Sequence, residues 1–135
     1  MNRFITTACY FLVLTLSISM AQVNTESLRQ TPLQKGLTHD LSFSQDFVSS
    51  GDHFHTYKLQ YRADYAAHRR HGFLVYNLHK GYQDQVTYLD TGFIHLRFIQ
   101  PLSKGWHIEV FTQREHNNFS NLQYRYLVGS GLRYP

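Results

Sequence analysis

Residues 56–65 carry the sequence TYKLQYRADY, in which polar and apolar side chains alternate without exception. Successive side chains of a β-strand point to opposite faces, so a period of two predicts a strand with one apolar and one polar face. The apolar set is Tyr57, Leu59, Tyr61, Ala63 and Tyr65, and the polar set is Thr56, Lys58, Gln60, Arg62 and Asp64. This stretch therefore predicts an amphipathic strand.

The same alternation recurs five more times between residues 37 and 134. These segments include 37–47, 74–82, the stretch from Ile94 that ends at Pro101, 106–113 and 122–134. Connections at 49–52, 66–71, 83–87 and 102–105 and a loop beginning at Asn117 separate the six strands. Such short links can join only antiparallel neighbours. The sequence predicts an all-β chain, an antiparallel up-and-down meander of about six strands, with Phe73, Val75 and Phe111 as exceptions on the polar side.

The first 36 residues do not alternate and predict two other segments. Arg3 is followed by an uncharged, largely apolar run and by Ser19-Met20-Ala21, which is the pattern of a secretory signal peptide over residues 1–21. Residues 22–36 read as an N-terminal leader, and residues 37–135 as the β-domain. Cleavage after Ala21 would remove Cys9, the only cysteine, so the exported chain would contain no disulfide.

Composition and motifs argue against catalysis, cofactors and nucleic acid. The net charge of +4 is dispersed, and no basic run exceeds Arg69-Arg70. No nucleophile elbow or triad spacing is present, and Glu109 and Glu115 would stand roughly 20 Å apart on one strand. His53 and His55 share a strand face but lack a recognisable third metal ligand. We expect a non-enzyme without a cofactor or metal.

Three features favour a membrane barrel over a soluble sheet. The predicted strands approach the 9–11 residues that a tilted transmembrane strand needs. Aromatic residues stand near strand ends on the apolar face, as in the interfacial girdles of outer-membrane barrels. These candidate interfacial aromatics are Tyr57, Tyr65, Tyr82, Trp106 and Tyr134. The polar face mixes both charge signs, which could pair across a lumen. The candidate lumen-lining residues are Lys58, Arg62, Asp64, His79, His95, Arg97, His107, Glu109 and Arg125.

Two basic residues fall on the apolar side of this register. Lys80 and Arg114 both lie toward a strand end. A basic side chain on a lipid-facing strand costs about 2–4 kcal/mol at the midplane but only about 0–1 kcal/mol near the interface. Their positions are therefore compatible with a lipid-facing apolar side.

Several segments resemble the YdiY-like, salt-induced outer-membrane proteins, a family whose domain has no known function. The similar stretches include Val23 to Arg29, Ser50-Gly51-Asp52, His95-Leu96-Arg97, Glu109 to Gln113, and Leu127 to Tyr134. The resemblance implies an outer-membrane β-barrel of Gram-negative bacteria, inserted by the outer-membrane assembly machinery, with no established activity. Family members continue for several more strands, so we expect a truncated member whose barrel needs remaining strands or a second chain.

Two functions follow as hypotheses. The first is a structural or channel-like barrel in the outer membrane, with the lipid bilayer as its partner and no nucleic acid. The second is a soluble periplasmic, lipocalin-like β-protein that binds an apolar ligand, with its apolar face lining the interior. The two hypotheses differ in which face of the sheet is enclosed.

Overall fold

A computed structural model of the protein describes residues 28–30 and 34–134. The predicted signal peptide, residues 1–21, lies outside the described residues, as does most of the predicted leader. The chain divides into two compact units, residues 1–31 and 32–135, and the second unit contains every strand described below.

Six strands form one antiparallel sheet in which each strand pairs with the next along the chain. They are β1 (Gly36–Ser50), β2 (Asp52–Ala67), β3 (Arg70–Gln83), β4 (Val86–Pro101), β5 (His107–Asn117) and β6 (Leu122–Arg133). The predicted all-β meander of six strands is thus confirmed. Within the described residues the sheet is open, with β1 and β6 as its two edges.

The strands are longer and the turns shorter than the sequence predicted. The connection predicted over 66–71 consists of only two residues in the structure, His68 and Arg69. The connection predicted over 83–87 likewise consists of Asp84 and Gln85. His68, Asp84 and Gln85 adopt positive φ angles of 53°, 46° and 72°. This left-handed backbone reverses the chain within two residues, although neither turn contains the glycine that usually signals it. Strand β1 also begins at Gly36, one residue inside the predicted leader.

The register continues the two faces across the whole sheet, because directly opposed residues of antiparallel strands point the same way. Tyr61 stands opposite Leu41 on β1 and Tyr76 on β3. Its neighbour Arg62 stands opposite Asp40 and Val75. We call the face that contains Tyr61 the apolar face and the face that contains Arg62 the polar face.

Burial is inverted relative to a soluble sheet. Apolar-face side chains of β1, β4, β5 and β6 are mostly exposed, including Leu41 at 69% and Val128 at 85%, whereas those of β2 and β3 are mostly half-buried. By the register, the buried residues all lie on the polar face of β3, β4 and β5; they are Phe73, Val75, Gly81, His95, Arg97, Ile99, Glu109, Gln113 and Glu115. Among the described residues no helix is both long and apolar enough to cross a membrane. On β3, β4 and β5 the shielded side of the sheet is therefore the ionic one.

Candidate functional site on the polar face

His95 lies at the centre of the polar face and is fully buried. Its ring lies 5.8 Å from that of Phe73, 6.1 Å from that of Phe93 and 5.7 Å from that of Phe111, measured between centroids. The register explains this cage, since Phe73 on β3 and Phe111 on β5 are diagonal neighbours of His95 and Phe93 precedes it by two residues on the same face of β4. The Nδ1–H of His95 donates to the Gln113 Oε1 at 3.2 Å, so the imidazole has a partner inside the cage.

Arg97, two residues along β4, is only 3% exposed. Its guanidinium carbon lies 5.9 Å from the ring centroid of Phe73 and 5.3 Å from that of Phe111. Its Nη1 donates to the Glu109 Oε2 at 3.5 Å. A buried cation needs both a counter-charge and a favourable surrounding surface, and Glu109 and the two ring faces supply them.

A second group of ionic contacts joins β2 to β3. Arg62 donates to both carboxylate oxygens of Asp64, and the Asp64 Oδ1 lies 2.9 Å from the His71 Nε2. The Arg62 guanidinium also lies 4.9 Å from the ring centroid of Phe73. Phe73 therefore contacts two arginines, Arg62 from β2 and Arg97 from β4.

The network continues to the β6 edge. The Gln113 Nε2 donates to the Glu115 Oε2 at 2.9 Å, and Glu115 forms an ion pair with Arg125. Hydrogen bonds of this kind link His95 on β4 through β5 to β6. Polar side chains shielded from water generally require such partners, which is why the groups form connected sets.

The three exceptions to the polar pattern explain how these charges pack. Phe73 and Phe111 provide the ring faces beside the arginines, and Val75 stands opposite Arg62 and His95. Phe111 requires Gly129 as its neighbour on β6, because a Cβ at Gly129 would lie 2.5 Å from the Phe111 ring. The sequence marked these residues as irregular, but only the register shows that they share one face with the ions.

All nine predicted lumen-lining residues lie on the polar face. Six of them take part in the contacts above, namely Arg62, Asp64, His95, Arg97, Glu109 and Arg125. Lys58 and His79 stand opposite each other on β2 and β3, and His107 begins β5. Whether this face lines a lumen stays a prediction.

The polar face is nearly balanced in charge. Its Lys and Arg residues in the strands are Lys58, Arg62, Arg97, Arg125 and Arg133, and its carboxylates are Asp40, Asp46, Asp64, Glu109 and Glu115, with Asp52 at the start of β2 on the same face by register. Five cations therefore share the face with six acidic residues. Such a face does not form a one-sign anion or cation site, and it presents ion pairs among aromatic rings.

The predicted interfacial aromatics lie on the apolar face at the two ends of the sheet. The rings of Tyr57 and Tyr82 lie 6.2 Å apart toward the end that holds the β1–β2 and β3–β4 turns. At the opposite end Trp106 and Tyr134 lie 5.3 Å apart, and Tyr65 stands opposite Leu37 near the start of β1. Two groups of aromatic side chains thus flank the exposed apolar surface.

His53 and His55 pack against an aromatic ring. The Phe47 ring centroid lies 6.2 Å from that of His53 and 4.5 Å from that of His55, and these residues line an open groove with Tyr57 and Tyr82. Within residues 28–30 and 34–134 no group of three or more His, Cys, Asp or Glu side chains is placed to hold a metal ion.

The fold and this site define the chain as a single open β-meander with an ionic face shielded and an apolar face exposed. No family model, curated protein or solved structure matches the chain. The resemblance to the YdiY-like family therefore stays a prediction.

Proposed function

We propose that this chain is an outer-membrane β-barrel protein of structural or channel-like type. The observation that carries the proposal is the exposure of the apolar face. Burial of apolar surface is worth about 25 cal/mol per Å², so a sheet that exposes such a face in water gives up its main stabilising term. Hydrocarbon as the surrounding solvent removes that cost, and large exposed apolar patches mark membrane or protein contacts.

Strand length supports the proposal. The six strands have 15, 16, 14, 16, 11 and 12 residues in chain order. A tilted strand needs about 9–11 residues to cross the hydrocarbon core, whereas soluble sheets favour about 5–6. Every strand of this sheet is long enough to span a bilayer.

The spacing of charges on the apolar face of β3 gives the height of the uncharged band that would face lipid. Arg70 and Lys80 bracket an uncharged stretch that contains Leu74, Tyr76 and Leu78. Ten residues at about 3.3 Å each span roughly 33 Å along the strand. With a strand tilt of about 40° the height is roughly 25 Å, which equals the apolar band of an outer-membrane barrel.

The two open edges of the sheet, β1 and β6, would both have to pair with other strands inside a membrane. An open sheet edge is not tolerated in lipid, so β1 and β6 need further strands, from this protein or from a second chain. Because β1 and β6 run in opposite directions, an even number of added strands closes the ring with every neighbour antiparallel. Bacterial single-chain barrels contain about eight strands or more.

Two observations bear on the competing functions. A lipocalin-like protein would enclose its apolar face, whereas this sheet shields its polar face. An open channel would keep the middle of the polar face wet, whereas His95 and Arg97 are packed between phenylalanine rings. The structural type is therefore favoured over an open pore.

Neighbouring residues on β1 provide a direct test. Leu41 lies on the apolar face and Ser42 on the polar face, and both are exposed. In a Cys9→Ser background, Leu41→Cys in purified outer membranes should react with a maleimide that partitions into the bilayer. Ser42→Cys should be spared by the same reagent. Preferential labelling of position 42, or recovery of the protein in osmotic-shock fluid, would contradict the proposal.

A further inference from the structure

A group of charged side chains interrupts the apolar face near one end of the sheet. Lys80 on β3 stands opposite Asp90 on β4, and their Nζ and Oδ2 atoms lie 3.5 Å apart. The other oxygen of Asp90, Oδ1, lies 3.1 Å from the His116 Nε2 on β5. A carboxylate on β4 therefore holds a basic side chain from each neighbouring strand.

The backbone is shaped to place His116 there. Gly92 stands opposite His116, and a Cβ at Gly92 would lie 2.3 Å from the imidazole ring. The missing side chain lets the ring lie across β4 and reach Asp90. Asn118, in the β5–β6 connection, accepts from the Asp90 N–H at 2.6 Å and donates its own N–H to the Asp90 carbonyl at 3.1 Å. Asp90 is thus fixed from both its backbone and its side chain.

Arg114 completes this group, which we call the outer charged cluster: Lys80, Asp90, Arg114 and His116. The Arg114 guanidinium carbon lies 4.8 Å from the ring centroid of Tyr124 and 5.5 Å from that of Tyr126. Arg114 is exposed, and within the described residues no carboxylate forms an ion pair with it. The planar guanidinium of Arg114 is therefore held over two tyrosine rings, and its N–H groups remain available to an external hydrogen-bond acceptor.

We infer that the outer charged cluster binds the phosphate of a lipid headgroup, an inference that rests on the proposed function. Lys80 and Arg114 outnumber the single carboxylate of Asp90, so the cluster has an excess of positive charge. A guanidinium matches the paired oxygens of a phosphate, and tyrosine rings suit the level where hydrocarbon meets water. Lys80 and Asp90 lie at one limit of the uncharged span of β3, where headgroups would be. Arg114 pairs with Ile94, which pairs with Tyr76, so its backbone lies four residues inside that limit, and its guanidinium extends over Tyr124 toward the β5–β6 connection at the same end of the sheet.

The test compares phospholipid selectivity of the full chain after insertion into bilayers. Electron spin resonance of spin-labelled phosphatidylglycerol and phosphatidylcholine gives the relative association of each lipid with the protein. We expect wild type to prefer phosphatidylglycerol and Arg114→Gln to lose about fivefold of that preference. Arg114→Lys should restore part of it. Arg69→Gln, which removes one positive charge from an exposed turn, serves as the matched control and should change it little.

The outcomes separate this inference from the proposed function. Equal association of both lipids with wild type, or unchanged selectivity in Arg114→Gln, overturns the inference while insertion itself supports the barrel. Absence of the wild-type protein from isolated outer membranes overturns both. Inorganic phosphate that competes as strongly as the lipid, and that depends equally on Arg114, would indicate a site for the free anion and overturn the lipid assignment.

Discussion

Leu96 lies on the apolar face of β4 and provides the sharpest test of what surrounds that face. It is about half exposed and stands opposite Leu74 on β3. Leu74 is four residues from Arg70 and six from Lys80. At about 3.3 Å per residue and a strand tilt of about 40°, Leu96 lies roughly 10 Å from the level of Arg70 and roughly 15 Å from that of Lys80, measured along the membrane normal. It is therefore close to the middle of the uncharged stretch between those two residues.

Replacing Leu96 with Arg should destabilise the protein by about 2–4 kcal/mol if lipid covers this face. Thr87→Arg is the matched control, because Thr87 lies on the same strand opposite Tyr82, near the turn end, where the cost falls to about 0–1 kcal/mol. In water both substitutions would be exposed surface changes worth less than about 0.5 kcal/mol.

The assay is denaturant unfolding in phospholipid vesicles, followed by the fluorescence of Trp106, the only tryptophan. A difference of about 2 kcal/mol between the two variants corresponds to about a 30-fold difference in the folding equilibrium constant. Equal unfolding free energies for Leu96→Arg and Thr87→Arg, within about 0.5 kcal/mol, would refute the lipid-facing assignment of this surface.

Two further predictions concern the polar face. Gly129→Ala should destabilise by about 1–3 kcal/mol because the new methyl group overlaps the Phe111 ring, whereas Gly131→Ala, with open space around its Cβ position, should change the unfolding free energy little. Glu109→Gln should cost about 2 kcal/mol by weakening the counter-charge of buried Arg97, and exposed Asp46→Asn should cost less than about 0.5 kcal/mol. Denaturant titration gives the unfolding free energy of all four variants. A similar loss of unfolding free energy in the two members of either pair would show that the packing argument for that pair is wrong.

The alternation of side chains was sufficient to predict six strands, their antiparallel order and the membership of each face. A period of two is a local property, so residues such as Tyr61 and Arg62 are assigned to opposite faces without knowledge of their neighbours. The turns were predicted less well. His68, Asp84 and Gln85 adopt left-handed backbone without being glycine, so composition ended β2 and β3 two residues and one residue too early and made both connections several residues too long.

The sequence by itself determined that one face is apolar and one ionic, because that distinction depends only on side-chain chemistry and spacing. The tertiary structure decided which residues meet across the strands: Phe73 with Arg62 and Arg97, Phe111 with Gly129, and Asp90 with His116. These contacts depend on register, and a shift of one residue would move every side chain to the other face. Register is fixed by pairing along whole strands and by the turns that join them, which no single segment of sequence contains.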